Sequence, residues 1–138
     1  MRQLLLVVLV AGPALAADFT LETESGEMSK DSSSLKSTYV VRGNQVTLTI
    51  ESHGHLKAPQ QPPKTAKLTN PKALDAALKA IRSTKEVKPP KLTFTQYKTG
   101  CLIEGVTHLC STVTEEGSTP RLEALGKLEQ LLLSELMK

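Results

Sequence analysis

The stretch Cys101-Leu102-Ile103-Glu104-Gly105-Val106-Thr107-His108-Leu109-Cys110 holds both cysteines of the chain, placed symmetrically about Gly105-Val106. A two-residue turn with glycine first, of type II′, sets position 101 opposite position 110. Pairs then alternate outward from the turn: 104 with 107 is hydrogen-bonded, 103 with 108 is not, 102 with 109 is, and 101 with 110 is not. A pair of the last kind brings its Cα atoms to about 4.5 Å, within reach of a disulfide. The spacing therefore predicts a cross-strand bridge, Cys101–Cys110, that pins the register of a hairpin. Closing so short a loop contributes about 2.5 to 3 kcal/mol on the chain-entropy account.

A disulfide implies an oxidising compartment, and the start of the chain agrees. One positive charge at Arg2, an apolar run from Leu4 to Val10, and small residues at Ala14 and Ala16 make up the three parts of a secretory signal peptide, with cleavage expected after Ala16. The apolar run is too short to span a bilayer. Residues 1–16 are therefore read as a signal peptide and 17–138 as a single exported α+β domain, periplasmic or extracellular, with no transmembrane segment after cleavage.

The hairpin has neighbours of the same kind. Phe19 to Glu24 alternates apolar or β-branched residues with polar ones, the period of a half-buried strand. Ser25 to Ser34 is serine-rich and reads as a loop. Leu35 to Arg42 and Gln45 to Glu51 are two further strands joined at Gly43-Asn44, with Val46, Leu48 and Ile50 on one face. From Ser52 to Lys64 the chain has three prolines and no apolar period, which predicts an extended crossing loop. Asn70 caps a helix that Pro71 opens, and Ala73, Leu74, Ala77, Leu78, Ala80 and Ile81 form its apolar stripe as far as Ser83. Leu92 to Tyr97 predicts another strand. A bulge is expected at Gly100, because the apolar parity passes there from Leu92 and Phe94 to Cys101 and Ile103. Thr119 and Pro120 open the last helix, with Leu122, Leu125, Leu128, Leu132 and Leu136 on one stripe.

These elements predict an α+β fold: a single antiparallel sheet with two helices packed on one face, and one cross-strand disulfide. Both halves run hairpin, linker, helix, which reads as a ββα-ββα pseudo-repeat.

Charge is segregated along the chain. Residues 17–56 carry a net −3, residues 57–98 a net +8 with nine lysines and Arg82, and residues 99–138 a net −3. A basic middle either attracts an anionic partner or is neutralised by its acidic flanks on folding. Lys57, Lys64, Lys67, Lys72 and Lys79 are the candidate binding residues, in a segment that continues through Lys85, Lys88 and Lys91.

Few residues suggest catalysis. There is no Gly-x-Ser-x-Gly motif and no phosphate-cradling glycine-rich turn, and the glutamates of the first strands are explained by alternation on a solvated face. The aromatics Phe19, Tyr39, Phe94 and Tyr97 all fall in strands, which leaves none to interleave with bases, so no nucleic-acid partner is expected. His53-Gly54-His55 has metal-like spacing, and His108 could add a third imidazole. The first expectation is a non-enzymatic binding module, without cofactor, that engages a protein or an anionic envelope polymer. A metal-binding protein or small enzyme using His53, His55 and His108 is the alternative, and a structural envelope component is the third.

Overall fold

The glycines at the two tight turns adopt the backbone that such turns demand. Gly105 has φ +60° and Gly43 has φ +62°, a region that residues with a Cβ seldom enter. In the computed structural model, which describes residues 18–27, 33–54, 61–85, 96–114 and 118–138, each turn joins a pair of strands. The strands are β1 (Phe19–Glu27), β2 (Ser34–Arg42), β3 (Gln45–His53), β4 (Lys64–Lys67), β5 (Gln96–Glu104) and β6 (Thr107–Thr114). All pairings are antiparallel, in the order β4-β3-β2-β1-β5-β6. The hairpin-to-helix plan occurs twice along the chain, and the two hairpins flank β1. The leader 1–16 and the start of the strand expected from Leu92 lie outside the described residues.

The hairpin register is the one the cysteine spacing predicts. Glu104 pairs with Thr107, Leu102 with Leu109 and Cys101 with Cys110, whose Cα atoms are 4.0 Å apart and whose sulfurs are bonded. The paired cysteines suit an oxidising compartment.

Alternation divides the sheet into two faces. Phe19, Leu21, Tyr39, Val41, Val46, Leu48 and Leu102 are buried on one face. Cross-strand pairs such as Leu21 with Tyr39 and with Leu102 align them. The other face carries Thr20, Thr38, Thr49, Glu22 and Glu24, the disulfide, and the hydroxyl contacts Thr47–Thr65 (3.3 Å) and Thr99–Thr112 (3.0 Å). Ile50 lies on the apolar face as expected. It is nevertheless 36% exposed, because the strands run on past the helices at that end.

Two helices cover the apolar face. In α1 (Pro71–Arg82) the side chain of Asn70 accepts from the Ala73 amide, and Leu78 and Ile81 are buried. In α2 (Pro120–Leu136) the Thr119 hydroxyl accepts from the Leu122 amide. Leu125, Leu128 and Leu132 are fully buried against the sheet. The contacts of α2 progress across the sheet: Arg121 meets β6, Leu122 and Leu125 lie over Gly100 of β5, Glu129 reaches Thr23 of β1 and Tyr39 of β2, and Glu135 bonds Thr69 beyond β4. A helix of 17 residues is about 25 Å long, and five strand spacings are about 24 Å. The helix is therefore a cross-beam over all six strands.

Three expectations are corrected. The loop expected from Ser25 to Ser34 is shorter, because Ser25 to Glu27 continue β1 and Ser34 begins β2, with Ser25 opposite Leu35 and Gly26 opposite Ser34. The segment from 52 to 64 is not one crossing loop: β3 continues to His53, and a fourth strand starts at Lys64 and adds to the edge of β3, with Val46 opposite Ala66. Four residues with lysine at both ends are too short to display a period, so only pairing with β3 reveals them. Gly100 does not bulge either. Register with β1 and β6 is unbroken through it, from Thr23 opposite Gly100 to Gly100 opposite Ser111. A Cβ there would lie 3.2 Å from a Leu125 methyl and 3.3 Å from a Leu122 methyl. The glycine lets the helix approach the sheet.

Because the bridge closes only the β5–β6 turn, its removal acts mainly on the unfolded chain. The Cys101→Ala/Cys110→Ala variant is expected to lose about 2.5 to 3 kcal/mol of unfolding free energy with its far-ultraviolet circular dichroism unchanged. A loss below about 0.5 kcal/mol in denaturant titration would mean that the register needs no bridge.

Candidate functional site

The residues singled out from sequence fall in separate places. Lys64 and Lys67 end the edge strand β4, and Lys72 is in the first turn of α1; all three are exposed. Lys79, two turns along α1, is ion-paired with Asp75 at 3.2 Å. Lys57, Lys88 and Lys91 lie outside the described residues. Lys64, Lys67, Lys72 and Lys85 make no ion pair among the described residues, and the one ion pair there between the basic segment and the acidic flanks is Arg82 to Glu104, joined by two hydrogen bonds.

The histidines are not brought together. His108 pairs with Ile103, Ile103 with Thr20, Thr20 with Val40 and Val40 with Thr47, so the row of His108 crosses β3 six residues short of His53. That offset is about 20 Å along the strands and about 19 Å across them, far beyond a shared coordination sphere. His53 sits 3.5 Å from Glu51, and His55 lies outside the described residues. Among the described residues no group of three or more His, Cys, Asp or Glu side chains is placed to hold a metal ion.

Three polar centres were not legible in the sequence, and all involve α2. Arg121 is buried at the start of the helix without a carboxylate partner among the described residues. Its guanidinium donates to the Thr84 hydroxyl (2.9 Å), the Thr84 carbonyl (2.9 Å) and the Cys110 carbonyl (3.3 Å), tying the end of α1 to the edge strand β6. At the other end, Glu135 is buried and accepts from the Thr69 amide and hydroxyl and from Lys138. Burial pushes its carboxyl up, but the Lys138 ammonium and the Thr69 donors outweigh burial and hold it at about 2.

The third centre is in mid-helix. Glu129 Oε2 accepts from the Tyr39 hydroxyl at 2.7 Å and from the Thr23 hydroxyl at 2.8 Å. Tyr39 is buried, and its phenol is pushed well above the usual tyrosine value, first by burial and then by the adjacent carboxylate. That tyrosine is a fixed donor and no acid. Glu129 forms one wall of a groove of about 550 Å³ where strands β1, β2 and β5 extend past α2. Leu35, Leu122 and Leu125 supply its apolar lining, and Ser25, Ser37 and Lys98 its polar rim. The sequence signal for this centre is weak: Glu129 follows Leu122 and Leu125 at spacings of seven and four, at the margin of the leucine stripe.

The chain matches no protein-family model, and no curated protein is significantly similar to it. No helix among the described residues is long and apolar enough to cross a membrane.

The Glu135 carboxyl is held below its ordinary value only in the folded chain, so its contribution to stability is complete above about pH 4.5 and fades as pH falls toward about 2. In chemical denaturation between pH 6 and pH 2.5, Glu135→Gln is expected to lose stability less steeply with acid than the parent. Parallel pH profiles would show that the carboxylate contributes nothing through these contacts.

Proposed function

We propose that this protein is a non-enzymatic, exported binding module that engages an anionic partner, a protein or an envelope polymer, through the basic edge built by Lys64 and Lys67 of β4 and Lys72 of α1. One observation carries the reading. These three lysines are exposed and make no ion pair among the described residues, although the flanks are acidic. Four of the flanking acids are paired elsewhere: Glu22 with Lys36, Glu51 with His53, Glu104 with Arg82, Glu135 with Lys138. A positive edge that folding leaves unneutralised attracts negative surfaces and speeds encounter with them. The stapled sheet beneath it loses little conformational freedom on association.

The leader-like first 16 residues and the bridge Cys101–Cys110 support an exported setting for this role. Lys79 is a poor contributor, because Asp75 already neutralises it.

The test uses two polyanions of different chemistry, dextran sulfate and poly-L-glutamate, in titrations at low and physiological salt. The parent is expected to bind with an affinity that falls as salt rises. Lys64→Gln/Lys67→Gln/Lys72→Gln should weaken binding about tenfold, from about 0.5 kcal/mol for each exposed charge. Lys79→Gln should change little, and none of these variants should shift the melting temperature. Unchanged binding by the triple variant, or no binding of either polyanion, would overturn the reading.

A further inference from the structure

We infer that the groove beside α2 binds a small zwitterion, with an ammonium group held at Glu129, a carboxylate held at Lys98, and an aliphatic spacer between them. The site is distinct from the basic edge and has different chemistry. Its volume of about 550 Å³ is that of a small-molecule cleft.

Glu129 is set up as an acceptor. Its Oε2 takes both hydroxyl donors, and Oε1 has no partner among the described residues. Because Tyr39 is buried, its hydroxyl cannot turn away to water, so the carboxylate is held in one orientation before any ligand arrives. Among the described residues Lys98 is the one cation that lines the groove, and it has no acidic partner there. Glu24 also borders the space, but its carboxylate bonds the Tyr97 hydroxyl on the opposite face of the sheet.

The two charges are set apart by the ladder. Thr23, which holds Glu129, pairs with Gly100, and Lys98 lies two residues further along β5 on the same face. Two residues along a strand and one strand across put the Cα of Lys98 about 8 Å from that of Thr23, and no ion pair joins Lys98 to Glu129 among the described residues, so the two charges are available to the two ends of one ligand. Leu35, 45% exposed, lies across Ser25 from Lys98, and Leu122 lies over Gly100, so the groove they line offers apolar surface to a hydrocarbon spacer. A Cβ added at Gly126, which lines the groove from the helix, would meet nothing within 4 Å, so the space is open on that side. A ligand with a single charge would desolvate one of these groups and leave it without a counter-charge. A zwitterion satisfies both.

The experiment is a titration of the purified, ¹⁵N-labelled full chain with 6-aminohexanoate, hexylamine and hexanoate, followed by amide chemical shifts. The expected result is saturable binding of 6-aminohexanoate with a Kd of about 1 mM. Shifts should centre on Ser25, Lys98 and Gly126, and each singly charged probe should bind at least about tenfold more weakly. Glu129→Gln keeps an oxygen for Thr23 and Tyr39 but removes the charge, and should weaken 6-aminohexanoate about tenfold. Lys98→Gln should do the same; its side chain is exposed, so it remains decisive even if the Glu129 variant folds poorly. The Lys64→Gln/Lys67→Gln/Lys72→Gln protein should bind the zwitterion as the parent does, which separates this site from the basic edge. No saturation up to about 50 mM, equal affinities for the three probes, or parent-like binding by the Lys98 variant would overturn the inference.

Discussion

The seating of α2 across the apolar face of the sheet is the interaction on which the other features depend. Leu125, Leu128 and Leu132 have no exposed surface, and neither do Leu21 and Leu102 on the sheet face they cover. Burying a leucine side chain contributes about 1.5 to 3 kcal/mol, so this stripe supplies a large share of what a domain of this size needs to stay folded. Since the helix is about as long as the sheet is wide, a single element spans it from β6 to β4. The position of α2 also decides where the apolar face is left uncovered, and the groove lies there.

The ends of the cross-beam show how packing overrules local preference. Arg121 stands in the first turn of α2 and Glu135 in the last, each at the end where the helix macrodipole disfavours its charge by about 0.3 to 1 kcal/mol. Hydrogen bonds to charged groups contribute about 1.5 to 3 kcal/mol each, so a few tertiary contacts outweigh that penalty. Arg121 gains two carbonyls and a hydroxyl, one of those carbonyls being Thr84 just past the C-terminus of α1, where the dipole of α1 favours a cation. Glu135 gains the Thr69 donors and Lys138. The two residues fasten α2 at opposite edges of the sheet, and both fastenings run through the segments that flank α1.

Much of this architecture is legible in the sequence where local rules act alone. The cysteine spacing gives the hairpin register, proline at the first helical position gives both helix starts, and alternation gives the core faces of β1 and β3. Legibility ends where one element is defined by another. Four residues of β4 carry no period of their own and become a strand only beside β3. Gly100 resembles a bulge until Leu122 and Leu125 are seen above it. Arg121, Glu135, Lys98 and Glu129 look like ordinary surface charges in a chain that is 22% charged, and only folding shows which of them are buried, paired or left facing a groove. The lysine-rich middle is a partial case. Its sign is plain in the sequence, but that Lys64, Lys67 and Lys72 make no ion pair among the described residues is visible only in three dimensions.

The most direct test of the cross-beam is native-state hydrogen exchange on the parent and on Leu128→Ala. A fully buried leucine cut to alanine costs about 2 to 5 kcal/mol. If α2 holds the sheet together, amides of β1, β2, β5 and β6 should lose protection together with those of the helix, and by the same free energy. Retention of parent-like protection in the β5–β6 hairpin while α2 exchanges freely would contradict the account, since the stapled hairpin would then stand without the helix.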